Sequence, residues 1–383
     1  MSGGVDSSVT ARLLAEQDYD LSAVFMRNWD TRDESATDSG CEWKKDWEDV
    51  QRVCKMLDIP CKLIDLSREY WTRVFEPCLR LWEKGETPNP DIWCNREVKF
   101  GALFDRITSE DTWLATGHYA DKAWSTQTTS RSSIPTSATF PRPQLARPLD
   151  RNKDQTYYLA AITEASLART LFPLARLKKP EVRDLARQWG LPTAQREESM
   201  GVCFVGEKKR FDQFIAQYIP PCQGQIVDHI TGKVLGTHQG LWSFTIGQNA
   251  RIPGMPERMC VARKDPSKNE VRVVPGSDHP ALYVKSIVAE EWSWIWADSP
   301  PAEIRDESGF GARVQFRHRM LDVPCTVRQG TDDRSVVITF DEPQKAVAAG
   351  QIAVVWDDAI CLGCGIITEA GDGVAASDAM ARR

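Results

Sequence analysis

Segments typical of strands and of helices alternate along the first half of this chain. Residues 21–26 (LSAVFM), 61–66 (CKLIDL) and 112–116 (TWLAT) are short apolar runs suited to buried strands. Apolar residues spaced by three and four within 9–16 and 43–57 indicate amphipathic helices. Strands that alternate with helices form a parallel α/β sheet, and ligands of such sheets bind outside the carboxyl ends of the strands.

The second half of the chain has a different pattern. After Gly206, short β-like runs stand between Gly and Pro turns, which is typical of one or two small antiparallel β domains or barrels. These runs are QIVD, KVLG, VRVV, LYVKSIVAE, ARVQF, CTVR, SVVITF and IAVVW. Before them, helical spacing returns from Thr163 to about Trp189, and a Ser/Thr/Pro-rich stretch at about 124–147 predicts a surface insertion.

Length and composition set broad limits. A chain of 383 residues is too long for one ordinary domain, so two or three domains are expected. No stretch reaches the roughly 20 continuous apolar residues that span a bilayer, and no secretory signal is visible. The net charge of −6 argues only weakly against nucleic-acid binding, because a large protein can confine its basic residues to one face.

The cysteines do not indicate a disulfide scaffold. There are 11, an odd number with irregular spacing, which points to a reducing compartment. Cys361 and Cys364 form a CxxC pair, but a tetrahedral zinc site needs four ligands, and neither a second CxxC nor a nearby His pair supplies them. We therefore favour a structural role for this pair and predict no structural metal.

A glycine-rich loop opens the chain. Residues 2–8 (SGGVDSS) run directly into the first helical segment, so a ligand anion can closely approach both glycines and the helix amides. The loop is not a Walker A motif, because the lysine that reaches the β and γ phosphates is missing. An ordinary Gly-Ser helix cap is the alternative. The pattern favours a nucleotide, and it resembles the PP-loop of ATP pyrophosphatases.

Two cysteines stand in unusual surroundings. Cys94 follows the turn sequence PNPD and precedes a helical pattern at 97–107, and a thiolate is stabilised near a helix start. Asp91, three residues upstream, could move a proton or hold a base. Cys203 lies in the glycine-flanked loop ESMGVCFVG. An average cysteine is structural, but in a chain with the resemblance described next, these two settings indicate reactive thiols.

Eight motifs occur in the order seen in tRNA-specific 2-thiouridylases, and the chain resembles that family over nearly its whole length. The motifs are SGGVDSS, TPNPDIWCNREVKF, ATGHYA, KDQTYYL, ESMGVCFVG, FTIGQ, QFRHRMLDVPC and AAGQIAVVW. The insertion and the last dozen residues are not covered. The sequence MRNWD at 26–30 and the Trp-rich helix after it look closest to mitochondrial, fungal members.

The resemblance implies a fold and its division. Residues 1–197 would form a parallel-sheet PP-loop domain of the adenine nucleotide alpha hydrolase-like type, with the insertion at about 124–147. A central β-rich domain at 198–276, a carboxyl-terminal β-barrel at 277–370 and a disordered tail at 371–383 would follow. The family has a hydrophobic strand before the loop, where this chain has only Met1, so we expect the first strand to be missing. A truncated amino terminus and an impaired protein are both open explanations.

The resemblance also implies site residues. Cys94 matches the nucleophile, Cys203 matches the cysteine that holds a persulfide, and we add Asp91 to the catalytic group. The ATP site matches Ser2, Gly3, Gly4, Val5, Asp6, Ser7, Ser8, Met26 and Gly117. Contacts with the target base match Asn89, Pro90 and Asp91, and other tRNA contacts match His118, Lys153, Asp154, Gln155, Arg317, His318 and Gln351.

The implied reaction is ATP-dependent thiolation of a wobble uridine. Transfer of AMP to the uracil 2-oxygen makes a poor leaving group a good one, and a sulfur nucleophile then attacks the carbon. Cys203 receives sulfur as a persulfide, and Cys94 either attacks it, which leaves a Cys94–Cys203 disulfide for a reductant to reset, or assists direct transfer. ATP with Mg²⁺ is the expected cofactor.

The implied partners are a tRNA and a persulfide-carrying sulfur donor protein. The protein would be a monomer, without a membrane, located in mitochondria or otherwise in the cytoplasm. Basic clusters at 178–179, 208–210 and 317–319 fit phosphate binding, although residues alone favour a solvated surface. Two alternatives stay open: another PP-loop enzyme that acts on a small molecule, and an inactive RNA-binding relative.

Overall fold

Two short parallel sheets, a four-stranded sheet and a closed barrel follow one another in the computed structural model, which describes residues 1–29, 42–107, 109, 111–125, 141–197 and 211–371. The helices are α1 (Val5–Ala15), α2 (Glu42–Leu57), α3 (Ser67–Tyr70), α4 (Glu76–Glu83), α5 (Pro90–Trp93), α6 (Phe104–Ile107), α7 (Thr156–Leu159), α8 (Glu164–Ala168), α9 (Lys179–Gln188) and α10 (Phe211–Ile215), with π-helical segments at Trp71–Phe75 and Cys94–Leu103.

The strands are β1 (Ala23–Arg27), β2 (Cys61–Asp65), β3 (Leu114–Ala115), β4 (Asp121–Trp124), β5 (Pro143–Ala146), β6 (Thr170–Leu171), β7 (Gly224–Asp228), β8 (Val234–His238), β9 (Met259–Asp265), β10 (Glu270–Pro275), β11 (Tyr283–Trp294), β12 (Phe310–Gln315), β13 (Val323–Gln329), β14 (Val336–Lys345), β15 (Ile352–Asp357) and β16 (Ile360–Gly371). Short 3₁₀ turns lie at Arg151–Lys153, Leu241–Ser243, Pro280–Leu282 and Ala302–Arg305.

The amino-terminal strands are parallel, as the alternating pattern predicts. β1 pairs with β2, and β3 pairs with β6, but these two pairs do not hydrogen-bond to each other. α2 covers the first pair, because Val50 and Cys54 pack against Ala23 and Phe25. Residues 1–4, which precede α1, are described and form no strand.

The helical pattern predicted from 163 to 189 is wrong in its middle. α8 ends at Ala168, the strand β6 follows, and helix resumes only with α9. Pro173 explains the break, since proline lacks an N–H group and keeps the residue before it out of the helical region. Thr170 is fully buried, and its hydroxyl donates to the Ser166 carbonyl at 2.7 Å, so this short strand is firmly placed.

The carboxyl-terminal half confirms the prediction of two β-rich parts, the last a barrel. β7 to β10 form a four-stranded sheet in the order β8-β7-β10-β9. Six strands then close in the order β11-β14-β13-β12-β15-β16, with β16 paired back to β11. Closure leaves a sheet no free edge, and side chains such as Val314, Val327 and Ile367 fill the interior.

A hairpin from the amino-terminal half extends the barrel sheet. β4 pairs with β5, and β5 pairs with the first two residues of β16, with Leu145 opposite Cys361 and Ala146 opposite Ile360. Both ends of the segment predicted as an insertion therefore lie in strands. Residues 126–140, its centre, lie outside the described residues.

A buried arginine fixes the barrel to the first domain. The Arg147 guanidinium lies 2.8 Å from both Asp154 and Asp322, and its side chain is only 6% exposed. Its central carbon lies 3.6 Å from the ring centre of Trp356, which is fully buried. Asp154 precedes α7 and Asp322 precedes β13, so one cation bridges a carboxylate from each part. Arg313 supplies a second positive charge at Asp322.

We expect Arg147→Met to lower the free energy of unfolding by about 3–5 kcal/mol, because it leaves the buried Asp154 carboxylate without its cation and leaves Asp322 only the more exposed Arg313. Denaturant unfolding followed by tryptophan fluorescence and circular dichroism measures this. Arg187→Met is the matched control, since the Arg187–Asp184 pair is more than half exposed and its loss should cost below about 1 kcal/mol. Equal losses in the two variants would show that Arg147 is not a structural tie.

Candidate functional site

Serine hydroxyls make the hydrogen bonds that order the amino-terminal end of α1. Ser7 and Ser8 both donate to the Gly4 carbonyl, at 3.0 and 2.9 Å, and the Ser2 N–H group donates to the Ser7 hydroxyl at 3.2 Å. Within this described segment no side chain caps the helix. The N–H groups of the first turn and the positive end of the helix dipole are therefore presented to the loop, as anion binding requires.

Two glycines in the predicted ATP site allow close approach to this loop. Gly3 has a φ of +77°, and a β-carbon there would lie 2.6 Å from the Asp46 carbonyl oxygen. A β-carbon on Gly117 would lie 2.9 Å from the Ser7 nitrogen and 3.0 Å from the Asp6 carbonyl carbon. Both positions thus form part of a tight cradle that any side chain would fill.

Contacts of Asp6 and Val5 hold the start of α1 against the rest of the first domain. Lys179 places its ammonium group 2.7 Å from both Asp6 carboxylate oxygens, and the Tyr119 hydroxyl donates to one of them at 3.1 Å. Val5 is buried against Tyr119 and Leu174 in a small apolar cluster. These contacts fix the direction of α1. Met26 lies on β1, next to the parallel strand β2.

Cys94 lies in a helix that begins earlier than the sequence pattern predicts. The pattern starts at Glu97, whereas α5 starts at Pro90 and runs through the π-helical segment into α6. Proline at the first position of a helix presets its φ angle and needs no partner for an N–H group. The Asn95 amide donates to the Asp91 carbonyl at 3.0 Å and stabilises this first turn.

The loop before Cys94 is held by both β-rich parts of the chain. The Thr87 N–H group donates to the Ala349 carbonyl at 2.8 Å, and the Gln351 amide donates to the Thr87 carbonyl at 2.6 Å. From the four-stranded sheet, Lys264 reaches within 3.5 Å of the Thr87 hydroxyl. Gln351, predicted as a tRNA contact, therefore also anchors the segment that contains Asn89 and Asp91.

Sequence reasoning missed Lys99, which lies between Asp91 and the phosphate loop. Its ammonium group donates to the Asn95 side chain at 3.0 Å and lies 3.2 Å from His118 Nε2. Among the described residues it has no carboxylate within ion-pair distance. Its signal was present, since Lys99 follows Cys94 by five residues inside TPNPDIWCNREVKF and shares its helix.

Burial, with a smaller effect of the Lys99 charge, shifts the pKa of two neighbouring groups. Burial and the Lys99 charge lower the pKa of His118 well below its usual value, so the ring is neutral. Its Nε2 then accepts from Lys99, and its Nδ1–H group donates to the Thr116 hydroxyl at 2.9 Å. Burial raises the pKa of Asp91, and Lys99 partly opposes that shift. A carboxyl group with a raised pKa is a candidate for proton transfer.

The predicted tRNA residues after β5 have clear structural contacts. The Asp154 carboxylate is engaged by Arg147 and accepts from the Thr156 N–H group at 2.9 Å. Gln155 exchanges hydrogen bonds with the backbone of Tyr119, at 2.9 and 3.0 Å. Lys153 lies beside them in a 3₁₀ turn. Through these contacts, Asp154 and Gln155 connect the turn to Arg147 after the β4–β5 hairpin and to Tyr119.

The basic loop after β12 comes back to the first domain. The His318 ring lies 4.4 Å from the ring of Tyr158, which is partly buried and lies near Asp91. The neighbouring Tyr157 interacts with Asn89. Arg317 and Arg319 on either side are exposed. The barrel therefore presents two cations near the Cys94 helix.

The described cysteines form no disulfide with one another. Cys203 lies outside the described residues. Cys361 and Cys364 are buried in the core shared by barrel and first domain. Burial raises the pKa of Cys364 to about 12, and such a thiol is a poor metal ligand.

The residues of the loop at 2–8 could accommodate an anionic group such as a phosphate. An uncapped helix end, a glycine cradle and three serine hydroxyls suit phosphate groups. Within the described ranges, no group of three or more His, Cys, Asp or Glu side chains could hold a metal ion. None of the helices described is long and apolar enough to cross a membrane.

Comparison with known protein families covers almost the whole chain. Residues 1–207 match the tRNA methyl transferase HUP domain, residues 212–275 the tRNA methyl transferase PRC-barrel domain, and residues 284–367 the aminomethyltransferase beta-barrel domain. These three matches follow the order of parallel sheets, four-stranded sheet and barrel seen in the structure.

Curated relatives named tRNA-specific 2-thiouridylase MnmA are similar over their full extent. The relative from Psychromonas ingrahamii is 42% identical over 378 residues, which is 96% of this chain and 96% of the relative. The relative from Vibrio cholerae is 41% identical over 382 residues, 96% and 95%. The relative from Aliivibrio fischeri is 40% identical over 380 residues, 96% and 96%. The chain therefore belongs to the tRNA-specific 2-thiouridylase family.

Proposed function

We propose that this protein is a tRNA-uridine 2-sulfurtransferase, which uses ATP to activate the 2-oxygen of the wobble uridine and replaces it with sulfur. One structural observation supports this beyond family membership. Gly117 lies against the phosphate loop while the next residue, His118, contacts Lys99 on the Cys94 helix. Two adjacent residues thus join the anion-binding loop to the cysteine helix, as a two-stage reaction on one base requires.

The residues of the loop would hold the nucleotide phosphates. The first-turn amides of α1 and the hydroxyls of Ser2, Ser7 and Ser8 supply the donors, and Gly3 and Gly117 leave the space. Bound ATP, with Mg²⁺, would supply the AMP that makes the uracil 2-oxygen a good leaving group. Asn89, Pro90 and Asp91 would contact the target base at the start of the Cys94 helix.

The cysteines would supply the sulfur. Cys203 receives it from a donor protein as a persulfide, and the Cys94 thiolate attacks the Cys203 sulfur. A new S–S bond joins the two cysteines, and hydrosulfide leaves with the electron pair of the broken bond. The hydrosulfide attacks the activated carbon and AMP departs with the oxygen. A dithiol reductant then restores both thiols, and Asp91 can take up the proton released.

The rest of the tRNA would lie across the barrel and the first domain. Arg317 and Arg319 are exposed beside His318, and phosphate contacts of this kind give salt-dependent binding. Lys153, Asp154 and Gln155 would contribute backbone and side-chain contacts from the adjoining turn. Asp154 differs from the other two residues, because its carboxylate already forms an ion pair with Arg147.

Location and partners extend this proposal. The relatives described above are bacterial, so the mitochondrial location rests only on the MRNWD sequence and the Trp-rich helix α2. We propose that location, together with a persulfide-carrying donor and a monomeric state. Fluorescence of a tagged full-length protein in its own cells should coincide with a mitochondrial marker, and diffuse cytoplasmic signal would contradict it.

We expect purified protein to form 2-thiouridine on cognate tRNA only when both ATP and a sulfur source are present. Nucleoside analysis by mass spectrometry, with pyrophosphate release measured in parallel, tests this. Another PP-loop enzyme would release pyrophosphate with a small molecule and leave tRNA unchanged. An inactive RNA-binding relative would bind tRNA and release none.

We expect Cys94→Ser and Cys203→Ser each to abolish transfer from a persulfide donor, while tRNA- and ATP-dependent pyrophosphate release persists. The reason is that adenylation precedes the sulfur steps and needs neither thiol. Cys222→Ser is the matched control, because Cys222 is exposed in the four-stranded part of the chain and should be dispensable. Full transfer by either of the first two variants would contradict the two-cysteine mechanism.

We expect Gly117→Ala to weaken ATP binding at least about tenfold and to cost about 1–3 kcal/mol of stability, since its methyl group would press on rigid backbone at the loop. Calorimetric titration with ATP and thermal unfolding measure the two effects. Gly311→Ala is the control, because a β-carbon at Gly311 meets nothing within 4 Å. Similar ATP affinity in both variants would remove Gly117 from the nucleotide site.

A further inference from the structure

Asn28 makes a contact that neither the fold nor the reaction described so far explains. It follows directly on β1, and its Nδ2 atom lies 3.5 Å from the Cys94 sulfur. This is a normal distance for an N–H donor to sulfur, which is larger than oxygen. The two residues come from different elements, the edge of the β1–β2 pair and the helix that begins at Pro90.

The Asn28 side chain donates to the sulfur through one end of its amide. Its Oδ1 atom is buried and has no hydrogen-bond partner among the described residues. A buried amide that serves only to stabilise a fold normally satisfies both of its ends. Within the part of the chain that the structure describes, the side-chain hydrogen bond of Asn28 ends at Cys94.

The helix itself does not supply this interaction. Cys94 is one turn inside the helix, and its own N–H group already bonds to the carbonyls of Pro90 and Asp91. The effect of a helix dipole decreases within the first turn, so the helix start favours a thiolate at Cys94 less than the sequence pattern alone implies. A separate donor to the sulfur is therefore significant.

Charged and titratable groups near Cys94 come from several elements. On its own helix they are Asp91, Arg96, Glu97 and Lys99. Arg27 and Asp65 lie on the strand that leads to Asn28 and on its partner strand, and His118 contacts Lys99. Arg96 pairs with Glu97, and Arg27 pairs with Asp65. Lys99 is directed at Asn95 and His118. Asn28 donates a hydrogen bond to the Cys94 sulfur from outside these pairs.

We propose that Asn28 is a positioning residue for sulfur transfer, whose amide N–H group donates to Cys94 and favours its thiolate over its thiol. A thiolate is a pure acceptor and matches the N–H group, whereas a thiol would direct its own hydrogen at another acceptor. The bond also selects one rotamer of Cys94. This role rests on the proposed function of Cys94, but the contact is testable without tRNA.

The test is the rate at which iodoacetamide alkylates Cys94 in the reduced full-length protein, measured from pH 6 to about 10. The thiolate displaces iodide and forms a C–S bond, so the rate at each pH reports the thiolate fraction. Mass spectrometry of the Cys94 peptide separates it from the other cysteines. Cys222, which is exposed in the same chain, is the internal reference.

We expect Asn28→Ala to slow alkylation of Cys94 at pH 7 by about 2- to 10-fold, the effect of losing one hydrogen bond, and to move the rate profile to higher pH. Asn28→Asp keeps the shape of the side chain but places a carboxylate at the sulfur, so it should slow the reaction further. Cys222 should react at the same rate in all three proteins. Circular dichroism shows whether each variant is folded.

Unchanged Cys94 profiles in both folded variants would overturn the proposal. Faster alkylation of buried cysteines such as Cys78 would instead reveal local unfolding, and Asn28 would then be a structural residue. In the thiolation assay, Asn28→Ala should lower kcat at neutral pH, recover towards higher pH and leave the KM for ATP unchanged. If Cys94→Ser still thiolates tRNA, the proposed function of Cys94 fails, while the alkylation result still decides the role of Asn28.

Discussion

The neutralisation of Arg147 by two carboxylates determines how the parts of this protein meet. Charges as deeply buried as these are tolerated only when they are paired, so Asp154 of the first domain and Asp322 of the barrel have one relative placement. The barrel also contacts the first domain where Ala349 and Gln351 hydrogen-bond to Thr87. The segment that leads to Cys94 is then held by a domain far away in sequence, and the geometry of the site depends on the interface.

The architecture was largely predictable from sequence, because periodicity and motif order report it directly. Short apolar runs located β1 and β2, and the change of pattern after Gly206 located the β-rich half. The prediction failed where the same spacing of apolar residues fits both a helix and a short strand. The spacing that predicts a helix through 163–189 also fits the two-residue strand β6, whose parallel partner β3 lies about 55 residues earlier and leaves no local signal.

The site was predictable only where a motif is continuous. The loop at 2–8 and the cysteine of TPNPDIWCNREVKF could be selected from spacing and resemblance. Lys99 and Asn28 contact residues that are distant in sequence. Lys99 contacts His118, and Asn28 contacts Cys94 from the end of a strand. Conversely, Asp154 looks like a ligand-binding carboxylate in the sequence, and the structure shows that its charge already serves Arg147.

The pairing of β5 with β16 also concerns how the chain is made. Ala146 pairs with Ile360, which is 214 residues further along the chain (360 − 146). The edge of the β4–β5 hairpin therefore has no partner strand while the β-rich half is being synthesised. At about 5–20 residues per second, this interval lasts about 10–40 s. Exposed strand edges attract other chains during such intervals. The edge of this hairpin is therefore covered only after the last strand of the barrel has been made.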